Sequence, residues 1–163
     1  MTKARPARAV VVGTGSGSQL FTTARAGRRR FRVVALCDPN PARIAHHQRL
    51  LGQAGKPQAA AWRPGDFERR LRTEGIDEAV ATTVDAQHDT YIVPALEAGC
   101  RVVTEKPMTT DAARCRTILR TVEVTGGDLA VAFNYRYNPV HTRARLDHGP
   151  PPTSPCTPGP EAS

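Results

Sequence analysis

The sequence predicts a doubly wound α/β fold, a parallel sheet with helices on both faces. Three observations carry the prediction. Apolar, strand-like runs alternate with helical stretches along most of the chain; the first run, Ala9-Val10-Val11-Val12, breaks into the turn Gly13-Thr14-Gly15-Ser16-Gly17-Ser18; and polar residues follow directly on the strands. Strands separated by helices run parallel, because each helix returns the chain to the starting end of the sheet.

The elements follow in order. A helix is expected after the glycine turn, then a strand from Phe31 to Cys37 that ends on Asp38. Pro39-Asn40-Pro41 blocks helix before it and starts one, so 40–51 reads as a helix stopped near Gly52 and Gly55. A short strand over 59–62 precedes a helix over 64–72, with Asp66 and Glu68 in its first turns. The run 78–84 reads as a strand, and Asp89 as the cap of a helix through Leu96 that stops at Gly99. Residues 101–104, 111–124 and 129–133 complete the series as strand, helix and strand.

Length and composition set the bounds. At 163 residues the chain holds one sizeable core, and its 39% hydrophobic content, with no apolar run near 18 residues, points away from the membrane. The basic N-terminus leads into a strand and glycines instead of a long apolar segment, so no secretory signal is read. The net charge of +8 comes from before Asp38, where Lys3, Arg5, Arg8, Arg25, Arg28, Arg29, Arg30 and Arg32 meet no acidic residue; the remaining 15 basic and 15 acidic residues cancel. Such a segment suits a phosphate-bearing ligand or a solvated basic loop at 28–30. With few aromatics and no recognition-helix or stacking motif, nucleic acid is not expected as a partner. Cys37, Cys100, Cys115 and Cys156 show no paired metal-ligand spacing, so no structural metal is expected; Cys37 and Cys100 read as small buried hydrophobes, and a reducing cytoplasm as the compartment.

A strand feeding a glycine turn and a helix puts bare backbone N–H groups against a pyrophosphate. A tight βα turn would explain the glycines alone, but Asp38, roughly 20 residues on at the end of the next strand, is placed to accept hydrogen bonds from the adenosine ribose hydroxyls. The turn is therefore assigned to a dinucleotide, through Gly13, Thr14, Gly15, Ser16, Gly17 and Ser18. Where the usual pattern closes on Gly or Ala, this chain has Ser18, or Gly17 with the turn one residue shorter; both alignments are open. Asp38 disfavours a 2′-phosphate by charge repulsion, so NAD is expected over NADP, a preference that nearby Asn40 and Arg43 weaken. In a Rossmann-like sheet ligands gather at the carboxyl ends of the strands, which carry the glycine turn, Asp38, 82–84, 104–107 and 134–136.

From Ala9 to Leu146 these residues resemble the Gfo/Idh/MocA oxidoreductases. The likeness rests on Gly13-Thr14-Gly15, Leu36-Cys37-Asp38, Asp85-Ala86-Gln87-His88, Ala95-Leu96-Glu97-Ala98-Gly99, Glu105-Lys106-Pro107 and Phe133-Asn134-Tyr135-Arg136. The resemblance implies an NAD(P)-dependent enzyme acting on sugars, cyclitols or related polyols, hydride passing between nicotinamide C4 and a carbinol carbon. Oxidising an alcohol removes a hydroxyl proton as hydride leaves, which calls for a cationic or basic group beside the oxygen. Lys106 matches that demand as the catalytic and substrate-contacting residue, one of three lysines in a chain whose other basic residues are arginine. Pro107 is expected to fix the backbone that aims it. The same resemblance assigns Thr82, Thr83 and Glu105 to the cofactor and Asn134 and Arg136 to the substrate. His88 is read either as a contact of the nicotinamide ribose or as a solvated loop residue.

The family pattern breaks at the C-terminus. After Leu146 the chain runs Asp147-His148-Gly149 and then through six prolines, small residues and Cys156, a composition expected to be disordered. The expected organisation is a dinucleotide-binding domain over 1–146 and a Pro-rich tail over 147–163, with the family's second, substrate-contacting domain missing. On that reading the chain is truncated, weakly active or inactive alone, takes a sugar or polyol only if a second domain is present, and lacks the sheet through which the family forms oligomers. Two alternatives stand beside it: a stand-alone dinucleotide-binding module or redox sensor, and the cofactor half of an NAD-dependent glycosidase.

Overall fold

The computed structural model describes residues 5–27 and 30–133; of residues 25–27 the backbone alone is described. The chain divides into two compact units, Met1–Ala132 and Phe133–Ser163, and every element below lies in the first. Asn134, Arg136, the tail over 147–163 and Arg28 and Arg29 of the basic loop lie outside the described residues.

Six strands alternate with helices: β1 Ala7–Val12, α1 Ser18–Gly27, β2 Phe31–Cys37, α2 Pro41–Gln53, β3 Ala60–Trp62, α3 Phe67–Thr73, β4 Glu78–Ala81, α4 His88–Glu97, β5 Arg101–Glu105, α5 Ala112–Thr125 and β6 Leu129–Ala132. All pair in parallel, in the order β3-β2-β1-β4-β5-β6. The order reverses between β1 and β4, which opens a crevice at their carboxyl ends where α/β folds bind ligands. The sheet is doubly wound because side chains alternate along each strand. Val10 and Val12 join Trp62, Phe67, Leu71, Ile92, Leu96 and Ile118 on one face, under α3, α4 and α5. Val11 joins Phe21, Leu36 and Leu51 on the other, under α1 and α2.

Local chemistry explains the boundaries. Asn40 caps α2, its side chain accepting the N–H of Ala42 at 2.9 Å, with Pro41 preset for the first turn. Asp111 caps α5 by accepting the N–H of Arg114 at 2.9 Å, and Gly126 ends that helix at φ +62°. The expected helix over 64–72 is a short 3-10 turn, Pro64–Asp66, followed by α3. Strand β3 is three residues long, and the side-chain amide of Gln48 pins its start: it donates to the carbonyl of Ala59 at 2.6 Å and accepts its N–H at 3.0 Å.

Two expectations are corrected. Strand β4 stops at Ala81 instead of running to Val84, because its neighbour β1 ends at Val12: Thr82 closes the ladder with its N–H on Val12 O (2.8 Å) and its hydroxyl near Val12 O and Gly13 O (3.0 and 2.7 Å), and Val84 is exposed. Asp89 does not cap α4: the cap position is Gln87, without a side-chain bond, and Asp89 instead accepts from Arg114 at 3.0 Å. The basic N-terminal segment is also divided. Arg5 pairs with Asp77 at 2.6 and 2.7 Å, and Arg8 donates to the carbonyls of Gly75 and Glu74, tying the start of β1 to the turn before β4. That is the opposite end of the sheet from the glycine turn. Among the described residues no helix is long and apolar enough to cross a membrane.

Candidate dinucleotide site

The glycine turn leaves β1 at the point where the sheet order reverses. Gly13 adopts φ +80°, and a Cβ there would stand 2.6 Å from Thr83 N and 2.7 Å from the carbonyl carbon and oxygen of Thr82. Only glycine lets β1 cross the end of β4 this closely. Gly15 and Gly17 are different: a Cβ at either meets nothing within 4 Å. Gly13 therefore serves the chain's own packing, whereas Gly15 and Gly17 leave open a surface that a ligand's phosphates can approach. Among the described residues no hydrogen bond takes up the N–H of Gly15, Ser16 or Gly17, and these lead into the N-terminus of α1.

Asp38 is 5% exposed. One carboxylate oxygen accepts the N–H of Thr14 at 2.7 Å and the other that of Asn40 at 2.8 Å, so the side chain joins the glycine turn to the start of α2. Each oxygen accepts more than one hydrogen bond, which leaves capacity for ribose hydroxyls. Thr14 is buried, and its hydroxyl has no hydrogen-bond partner among the described residues. Arg43 is exposed in the first turn of α2. The side chain of Ser18 is fully buried and turns inward, donating to Gly15 O at 2.5 Å. It fills the small-residue position between turn and helix and keeps its hydroxyl away from the open side.

Sequence reasoning missed His47. Its ring is fully buried on α2, with Nε2 at 3.1 Å from Ser18 Oγ and Nδ1 at 2.8 Å from Thr22 Oγ1. Because Ser18 spends its proton on Gly15 O, it accepts from His47, which places the ring N–H on Nε2 and leaves Nδ1 to accept from Thr22. Burial pushes the imidazole below its ordinary value, the Gly15 carbonyl partly opposes this, His46 adds to it, and Asp38 and the Thr14 carbonyl oppose it. The available signal was spacing, for Ile44, His47 and Leu51 fall at i, i+3 and i+7 on the apolar stripe of the helix.

At the ends of β4 and β5 the structure corrects the reading of His88. It is neither solvated nor open to a ribose: the ring is fully buried, with Nε2 at 3.1 Å from Thr83 O and Nδ1 at 2.9 Å from Pro107 O. His88 thereby brings the end of β4 and the Lys106-Pro107 segment within the width of one ring. The Thr82 hydroxyl is spent on Val12 O and Gly13 O, so it secures the glycine turn, and Thr83 lies partly buried beside Gly13. Lys106 is exposed just past β5, its N–H donating to Glu105 Oε2 at 3.0 Å, and the Lys106–Pro107 peptide is cis. Glu105 thus supports the turn at Lys106 through the backbone. One edge of the sheet gathers the open glycine turn, the Asp38 carboxylate and, beyond the next strands, the exposed Lys106.

Comparison with known proteins agrees with this geometry. The chain is 33% identical over 144 residues to inositol 2-dehydrogenase of Gluconacetobacter diazotrophicus, covering 85% of this chain and 41% of that protein. It is 27% identical over 133 residues to D-glucoside 3-dehydrogenase of Escherichia coli, covering 81% and 36%. The solved structure of scyllo-inositol dehydrogenase from Lactobacillus casei, with bound NAD(H) and scyllo-inositol, superposes with a TM-score of 0.73 over 88% of this chain and 42% of that one, at 20% identity, a likeness of fold. The chain spans well under half the length of these relatives. The profile of one family, described as "Oxidoreductase family, NAD-binding Rossmann fold", matches residues 7–133. The chain therefore belongs to the Gfo/Idh/MocA oxidoreductase family, and residues 7–133 are its NAD-binding Rossmann fold.

Proposed function

We propose that this chain binds a nicotinamide dinucleotide, NAD in preference to NADP, at the carboxyl ends of β1, β2 and β4, and serves as the cofactor-holding part of an enzyme that oxidises a hydroxyl of a sugar, cyclitol or other polyol. The observation that carries the reading is the junction of β1 and α1, where Gly13 is locked against β4 while Gly15 and Gly17 face open space with unused amides. Asp38 supports NAD, because its fixed negative charge repels a 2′-phosphate while its free lone pairs accept ribose hydroxyls. The names of the inositol and glucoside dehydrogenases to which the chain is similar support the substrate class.

When bound, the nicotinamide supplies a hydride acceptor. The work of this chain's own residues is to bind, orient and manage a proton. Gly15, Ser16 and Gly17 offer amides to the pyrophosphate, and Asp38 fixes the adenosine end. As a neutral amine Lys106 would accept the proton of the substrate hydroxyl at Nζ as hydride leaves the carbon, and as the resulting ammonium it would polarise the new carbonyl and return that proton in the reverse direction. Asn134 and Arg136, which follow β6 in sequence, complete the proposal as hydroxyl or carboxylate contacts.

Titration of the chain with NAD and NADP, followed by intrinsic fluorescence or calorimetry, tests the reading. Asp38→Ala is expected to weaken NAD at least tenfold and to narrow its advantage over NADP, while Lys106→Ala leaves NAD affinity within about twofold and, once a substrate-contacting second domain is supplied, abolishes polyol-dependent NADH formation. Equal, negligible effects of Asp38→Ala on both dinucleotides sink the ribose role. NAD binding with no polyol-dependent NADH formation even when a substrate-contacting second domain is supplied reassigns the chain to a binding module or redox sensor.

A further inference from the structure

We propose that His47 is a positioning residue for the phosphate-binding amides of the glycine turn, acting through Ser18 on the Gly15–Ser16 peptide. The inference rests on reading that turn as the dinucleotide site. The carbonyl of Gly15 is drawn toward α1 by two donors, Ser18 N at 3.2 Å and Ser18 Oγ at 2.5 Å. The Gly15–Ser16 peptide is trans, so its N–H points the opposite way, away from the protein wall. Whatever holds the carbonyl of Gly15 therefore aims the N–H of Ser16.

A serine hydroxyl left to itself turns among three staggered positions and donates to water or to the ligand. Here it has no such freedom. The N–H of His47 Nε2 occupies a lone pair of Ser18 Oγ at 3.1 Å and commits the hydroxyl proton to Gly15. Thr22, one turn further along α1, holds the other side of the ring at 2.8 Å. The result is one directional chain, from the Thr22 hydroxyl to Nδ1, from Nε2 to Ser18 and from Ser18 to the carbonyl of Gly15. His46, 5.7 Å away ring to ring on α2, and Asp38 at the end of β2 are the titratable groups beside the imidazole; from α1 the described residues present the two hydroxyls.

Full burial of the His47 ring carries a desolvation cost that an aliphatic side chain in the same space avoids. Packing alone does not explain a histidine here, whereas aiming an amide does. The ring's lowered affinity for a proton keeps it neutral, the form in which Nδ1 accepts from Thr22.

The test compares dissociation constants for NAD and for adenosine, which lacks the pyrophosphate, in wild type, His47→Leu, His47→Gln, Ser18→Ala and the double variant His47→Leu/Ser18→Ala. His47→Leu is expected to weaken NAD roughly tenfold, the equivalent of about one hydrogen bond, and to leave adenosine unchanged. His47→Gln, whose amide carries an N–H at about the reach of Nε2, restores most of the loss. Ser18→Ala weakens NAD to a similar extent, and the double variant is no worse than either single one. Histidine ¹⁵N spectra of the wild-type protein place the His47 proton on Nε2, a readout independent of whether any variant folds. Unchanged NAD affinity in His47→Leu, parallel loss of NAD and adenosine, additive single variants, or a proton on Nδ1 each overturn the proposal while the site reading stands. Failure of the wild type to bind either dinucleotide overturns the site reading, and the role of His47 with it.

Discussion

Alanine at Gly13 and alanine at Gly15 are the same chemical change two residues apart, and the structure assigns them opposite consequences. At Gly13, the left-handed backbone costs an alanine about 1–2 kcal/mol. Its Cβ also lies 2.6–2.7 Å from backbone atoms of Thr82 and Thr83, which must move, an overlap worth about 1–3 kcal/mol. Gly13→Ala should therefore lose about 2–5 kcal/mol and melt on the order of 10 °C lower. At Gly15 φ is not positive and a methyl meets nothing, so Gly15→Ala should be neutral or stabilising by about 0.4–1 kcal/mol through its effect on the unfolded chain. That methyl would nonetheless stand where the pyrophosphate approaches, and NAD affinity should fall more than roughly tenfold, about 1.4 kcal/mol or more. Thermal melting and NAD titration of the two variants decide the matter. Wild-type NAD affinity in Gly15→Ala would refute the cradle, and wild-type melting in Gly13→Ala would refute the lock.

Three further outcomes are expected. The Arg5 guanidinium holds the Asp77 carboxyl below its usual range, so the ionised form favours the fold; its contribution is complete above about pH 4 and fades as pH falls below that. Denaturant midpoints of wild type and Asp77→Asn should thus differ at pH 7 and draw together as pH falls below about 4. Burial pushes the thiols of Cys37 and Cys100 up to about 12 and about 11, so both should resist alkylation at pH 8 in the native chain and react on unfolding, while partly exposed Cys115 reacts in both states; mass mapping of labelled sites checks this. His88→Leu removes the buried ring that stands between the carbonyls of Thr83 and Pro107, one of which it serves as donor, and should cost about 1–3 kcal/mol, read from urea denaturation.

The parts of the fold written in local chemistry were legible. Asn40-Pro41 and Asp111 mark helix starts with their own side chains, and the alternating Val10, Val11 and Val12 announce a strand buried on both faces. The parts decided by distant residues were not. Thr82, Thr83 and Val84 look like strand because they are β-branched, but the neighbouring strand ends at Val12, seventy positions before Thr82, and offers nothing further to pair with on that side. Asp89 looks like a cap until Arg114, 25 residues on, claims it. At the site, Gly13, Gly15 and Asp38 advertise themselves by spacing. The functions of Ser18 and His47 depend on a network across two helices that no short motif encodes.

The side-chain amide of Gln48 behaves, at the first residue before β3, like a borrowed peptide unit: one donor and one acceptor engage the carbonyl and N–H of Ala59. Such mimicry is chemically perishable. Hydrolysis of that amide to a carboxylate keeps the acceptor but replaces the donor with a charged oxygen facing the Ala59 carbonyl, so attraction becomes repulsion at half of the clasp. Strand β3 has only three residues, and its last, Trp62, supplies the carbonyl that receives the N–H of Asp38. Ageing of one glutamine on α2 would thus be felt at Asp38, the carboxylate proposed to hold the ribose.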